Sequence, residues 1–117
     1  MPVPRHEAKA ELFRTLGHPV RIRVLELLCD REYAVHELLA TLEVEPSTLS
    51  QQLGTLRRAG IVRQHRRAGE VRYSLMIPSI AELLAAARTT LGLLLADRAQ
   101  LQADLDDEDT TAGSAVS

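Results

Sequence analysis

Between Pro46 and Arg72 the sequence gathers side chains suited to meeting a polyanion. Ser47, Thr48, Ser50, Gln51, Gln52 and Thr55 supply hydrogen-bond donors and acceptors that match base edges and phosphate oxygens. Arg57 and Arg58 close the same segment at the end where a helix dipole favours cations, and no Glu or Lys interrupts it. Further on, Arg66, Arg67 and Arg72 surround Gly69, so a close backbone approach would place cations beside phosphate. Six arginines in this stretch oppose Glu70 alone, a net of +5 with His neutral. The whole chain carries -2, because from Asp97 onward six acids oppose Arg98. The charge is therefore partitioned, and a basic stripe on one supersecondary unit is the electrostatic footprint of a protein that meets phosphate.

Other chemistry does not assemble. An enzyme needs a nucleophile with its base, paired carboxylates, a Gly-rich phosphate loop or an open metal site, and the sequence offers none of these. Four histidines remain. His18, before Pro19 at a helix start, reads as a cap or loop residue, and His65, among arginines that would repel a dication, as a phosphate contact or an exposed side chain. His6 with Glu7, and His36, leave open a Zn or Ni site assembled across a dimer, since imidazole suits both metals. No closing ligand set is present, so no metal residue is assigned. Cys29 stands alone and excludes an intramolecular disulfide. At the end of an apolar helical stripe it reads as a small core residue and less as a redox sensor.

The elements that position these residues follow from periodicity and punctuation. Ala8, Leu12, Phe13 and Leu16 predict a helix over Arg5–Leu16 that Gly17 stops, and Pro19 opens a second that carries Ile22, Val24, Leu25 and Leu28 to about Asp30. A short third helix spans Val35–Leu42. Pro46 opens a fourth, with Leu49, Leu53 and Leu56 as its apolar face and Gly60 as its stop. Ile61–His65 and Val71–Leu75 read as a β-hairpin around the turn Arg66–Glu70. After Pro78, the segment Ile80–Leu101 is a long, leucine-rich helix.

A chain of 117 residues has room for one domain, and with one Phe, two Tyr and no Trp its core must be aliphatic. So small a domain cannot cover the last helix, which calls for a partner chain. No uninterrupted apolar run reaches the roughly 18 residues of a membrane span, and a charged N-terminal segment takes the place of a signal core, so the chain reads as cytoplasmic. The domain is expected over residues 1–103, and residues 104–117 as an acidic, disordered tail.

In this order and spacing, three stretches resemble the ArsR/SmtB family of bacterial winged-helix regulators. They are Leu16–Leu28 (LGHPVRIRVLELL), Pro46–Val62 (PSTLSQQLGTLRRAGIV) and Gly69–Leu75 (GEVRYSL), and the resemblance covers about residues 8–100. It implies a mostly α winged helix-turn-helix with a small β-hairpin, dimerising through its first and last helices and binding operator DNA as a homodimer, usually as a repressor. The family's recognition positions fall on Ser47, Thr48, Ser50, Gln51 and Gln52, and its wing cations on Arg66 and Arg67, with Arg72 as a further candidate. Gln51 and Gln52 would read bases, because Gln pairs bidentately with adenine, whereas the arginines would position the duplex. The family's usual metal ligands are not matched. Ala34 and His36 stand where a thiolate pair would be, and the last helix has no histidine. The signal is left open between a metal, a partner protein and another effector. An adaptor module with the same fold and no DNA binding is the competing reading.

Overall fold

The computed structural model describes residues 2–116, with side chains described for residues 2–108. Residues up to Glu82 and those from Leu83 onward form two separate units.

The first unit holds α1 (Arg5–Leu16), α2 (Pro19–Asp30), β1 (Tyr33–Ala34), α3 (Val35–Leu42), α4 (Pro46–Arg58), β2 (Val62–Arg67) and β3 (Glu70–Leu75). It also holds the start of α5, which runs over Ser79–Val116. Proline at the first turn of α2 and α4 has its φ preset and lacks only a donor that a helix start leaves unpaired anyway. His18 caps α2, its Nδ1 accepting from the Val20 amide at 3.1 Å, in accord with the capping role expected for it. At the other end of α3, Glu43 turns left-handed at φ 53°, and only Val44 and Glu45 separate it from Pro46. That tight connection makes α3 and α4 a helix-turn-helix pair. Their packed faces, with α2, form the aliphatic core: Val24, Leu25, Leu28, Leu38, Leu49, Leu53 and Leu56 are all buried.

The hairpin joins a three-stranded antiparallel sheet in the order β1-β3-β2. Tyr33 pairs with Tyr73 and Ala34 with Arg72, a two-residue strand that the sequence reading did not contain. The turn is also tighter than the expected Arg66–Glu70. Arg67 pairs with Glu70 and leaves Ala68 and Gly69 alone at the tip, with φ of 53° and 80°. Positive φ at both positions is the signature of a type I′ turn, whose twist suits a hairpin.

From Leu83 onward the chain is helical, and Leu91, Leu93, Leu94, Leu95, Leu101 and Leu105 are exposed. Within the first unit, α1 likewise exposes Leu12 and Phe13. The segment Ser79–Glu108 is long and apolar enough to cross a membrane, with an 18-residue window of mean hydropathy 1.4. This corrects the expectation that no segment qualifies. That expectation counted unbroken apolar residues, whereas Glu82, Arg88, Thr89, Thr90 and Gly92 break the run and still leave the average high. The helix continues past Asp104 to Val116, through the segment expected as a disordered tail. The side chains of residues 109–117 of that segment lie outside the described ones.

Candidate nucleic-acid interface

Helix α4 has two faces because apolar residues recur at helical spacing. Leu49, Leu53 and Leu56 turn into the core, while Ser47, Ser50, Gln51, Arg57 and Arg58 are exposed. Thr48 and Thr55 are half-buried. The Thr55 hydroxyl donates back to the Gln51 carbonyl at 3.2 Å, and Arg58 donates to that hydroxyl at 3.4 Å. Arg57 donates to the Gln64 amide oxygen and so ties α4 to β2.

Gln52 is the exception among the expected base-facing residues. It is 7% exposed, and its Oε1 accepts from Arg21 Nε at 2.7 Å. Arg21 also donates to the Thr15 carbonyl at 2.9 Å, so this pair links α1, α2 and α4. The reason lies in spacing, since Gln52 stands three residues after Leu49 and four before Leu56, on the apolar stripe itself.

The wing divides its cations in the same way. Arg66 is exposed and has no hydrogen bond or ion pair among the described residues. Arg67 is 74% exposed and reaches Glu32 Oε1 at 2.9 Å. Arg72 is only 18% exposed and lies among three carboxylates: Glu32 at 2.9 Å, Glu70 at 3.0 Å and Glu37 at 3.6 Å. His65 Nε2 donates to Glu32 Oε2, 2.9 Å away, and its side chain is half-buried and not the exposed one expected. His36 pairs with Glu70 at 3.0 Å. Partial burial alone would raise the Glu32 carboxyl, but hydrogen bonds from His65, Arg72 and Arg67 hold it below the usual carboxylate range. Glu37 is lowered to about 2, first by the Ala34 amide, which donates to it at 3.0 Å, and then by Arg31.

Of the sequence-predicted set, Ser47, Ser50, Gln51, Arg57, Arg66 and Arg67 therefore reach solvent on α4 and the wing, whereas Gln52 and Arg72 turn toward other protein groups. Sequence reasoning missed Arg21, Glu32 and Gln64, whose roles depend on partners distant in the chain. No group of three or more His, Cys, Asp or Glu side chains able to hold a metal ion occurs among the described residues.

A helix-turn-helix whose second helix bears an exposed polar face, followed by a basic two-stranded wing, is a winged helix-turn-helix, a fold class of DNA-binding regulators. Comparison with known proteins makes this specific. Residues 18–64 match the family model described as "Bacterial regulatory protein, arsR family". The uncharacterized HTH-type transcriptional regulator Rv0081 of Mycobacterium tuberculosis is 52% identical over 103 residues, covering 87% of this chain and 90% of the relative. Its crystal structure superimposes with a TM-score of 0.75 over 83% of this chain and 98% of that one. The biofilm growth-associated repressor of Agrobacterium fabrum is 41% identical, covering 74% of this chain and 77% of the repressor. The crystal structure of the transcriptional repressor BigR from Xylella fastidiosa is 38% identical, with a TM-score of 0.69 over 74% of this chain and 88% of that one. The chain belongs to the arsR family of bacterial transcriptional regulators.

Proposed function

We propose that this chain is a homodimeric repressor that binds operator DNA with α4 in the major groove and the hairpin tip on the flanking backbone. The observation that carries the reading is the division of α4. Its leucines are buried, while Ser47, Ser50 and Gln51 face solvent on the helix that leads into the Arg66–Arg67 wing. Within this reading Gln51 is the base reader, and Arg57, Arg66 and Arg67 hold phosphates. Ser47, Thr48 and Ser50 assist at the helix start, and Thr55 lines the same side. The reading places the chain in the cytoplasm with its DNA.

The second copy is the occupant that suits the exposed leucines of α5 and the exposed Leu12 and Phe13 of α1. Glu82 and Arg88 interrupt the apolar stretch, and an arginine deep in a bilayer costs about 2.5–3.5 kcal/mol, which favours a protein partner over lipid. No described ligand set designates a metal, so Zn, Ni, an oxidant and a partner protein stand as signals to be tried.

The test is a fluorescence anisotropy titration of the metal-free chain against its own upstream DNA and a scrambled duplex, repeated with Zn, Ni and an oxidant. Much tighter binding to the upstream DNA is expected, and an additive that shifts it identifies the signal. Equal binding to both duplexes would remove sequence specificity. Binding to neither would leave the adaptor reading in its place.

A further inference from the structure

A groove of about 500 Å³ opens between the start of α3, the first turns of α4 and the wing. Its walls are Val35, Leu39, Leu53 and Val71, with the Tyr73 ring beside them. Surface depressions that bind small organic molecules have this size and apolar lining, with a few polar groups to orient the guest. Two such groups stand unused. Tyr73 is 7% exposed, yet its hydroxyl makes no hydrogen bond among the described residues. The Ser50 hydroxyl, also on the lining, is likewise unpaired among them. The Tyr73 ring is buried but its hydroxyl is open to solvent at the groove, so it can bond a guest there in place of water.

We propose that this groove binds a small, uncharged organic molecule bearing a carbonyl or phenolic oxygen, and that such binding weakens the hold on DNA. Charge selects the class. The one carboxylate on the lining, Glu70, is held by His36 at 3.0 Å and by Arg72 at 3.0 Å, so the groove offers no unpaired ion to a charged guest. Hydrogen bonding selects the oxygen. Arg57 engages the Gln64 carbonyl oxygen and leaves the Gln64 amide NH2 as an unengaged donor, and the Tyr73 and Ser50 hydroxyls can donate too. The coupling to DNA rests on the function proposed above. A guest that touches Ser50 on α4 and Val71 on the wing wedges between the two elements that DNA must engage together, and binding linkage is reciprocal.

The probe is 2-naphthol, titrated into the ¹⁵N-labelled full chain and followed by amide chemical shifts. Saturable shifts at Val35, Leu39, Ser50, Val71 and Tyr73 are expected. Tyr73→Phe, which loses one hydrogen bond and no volume, weakens the binding by about five-fold. Val71→Phe, at a half-exposed position, fills the groove and abolishes it. Shifts confined to the leucines of α5, no saturation, or unchanged affinity in Tyr73→Phe each overturn the site. In a parallel DNA titration, saturating 2-naphthol lowers operator affinity, and an unchanged affinity overturns the coupling. Groove shifts in a chain that binds no DNA would uphold the site and refute the DNA-binding function instead.

Discussion

Arg66→Ala isolates the contribution of the wing to DNA affinity. The side chain is exposed and unpaired among the described residues, so its removal costs the fold little and any change belongs to the complex. If each protomer of a dimer sets Arg66 against one phosphate, the variant loses two contacts, and the slope of log affinity against log salt flattens by about 1.8. Between about 50 and about 200 mM salt, wild-type affinity then falls about tenfold more than that of the variant. Arg67 supplies an internal comparison. Its guanidinium must leave Glu32, 2.9 Å away, before it can meet phosphate. Arg67→Ala therefore flattens the slope by less than Arg66→Ala does and loses less affinity at each salt concentration. Arg72, enclosed by three carboxylates, should leave the slope untouched when it is replaced. Anisotropy titrations over a salt series measure all three. An unchanged slope in Arg66→Ala would mean that the wing does not reach the backbone. Equal flattening in Arg72→Ala would mean that the carboxylate network opens on binding.

The two adjacent glutamines should separate cleanly. Gln51→Ala leaves stability intact and costs about 1–3 kcal/mol of discrimination at one base position per half-site, read by binding-site selection. Gln52→Ala strands the Arg21 Nε donor and destabilises by about 1–3 kcal/mol in urea unfolding, with base preference unchanged. At the hairpin tip, Ala68→Gly relieves a φ of 53° and raises the urea midpoint, a net gain of up to about 1 kcal/mol after glycine's own entropy cost. The Glu37 carboxyl, lowered from 4.5 to about 2 on folding, contributes stability that is fully present above pH 4.5 and is lost as pH falls toward about 2. Glu37→Gln should flatten the acid limb of the stability curve in that window, and an unchanged limb would place the acid sensitivity elsewhere.

What the sequence made legible was local. Pro19 and Pro46 opened helices where they were expected to, and the leucine spacing of α4 named its buried face before any coordinates did. Strand β1 was invisible because two residues, Tyr33 and Ala34, carry no periodicity and acquire their partners from β3. The turn is tighter than the sequence suggests because nothing in an alanine announces a left-handed φ. Gln52 is a different case. Its position on the Leu49–Leu56 stripe is readable in the sequence, while its polar type points to the solvent face. In the structure the spacing decided, because Arg21 supplies the partner that makes a buried amide tolerable.

Charge was the property least readable from the linear chain, and the reason bears on function. Counting from Pro46 to Arg72 gives six arginines, as though all were available to DNA. In the folded unit Glu32, Glu37 and Glu70 surround Arg72, and Glu32 also engages Arg67, so two of the six have acidic neighbours. Arg57, Arg58 and Arg63 bond instead to neutral Gln64, Thr55 and Ser74, contacts that orient a guanidinium without cancelling its charge. With Arg66 they leave four exposed, uncompensated cations in this stretch of each protomer. The salt dependence of binding should follow that smaller number plus whatever share Arg67 yields on leaving Glu32. The carboxylates that anchor the wing therefore also set how much of its charge DNA can use.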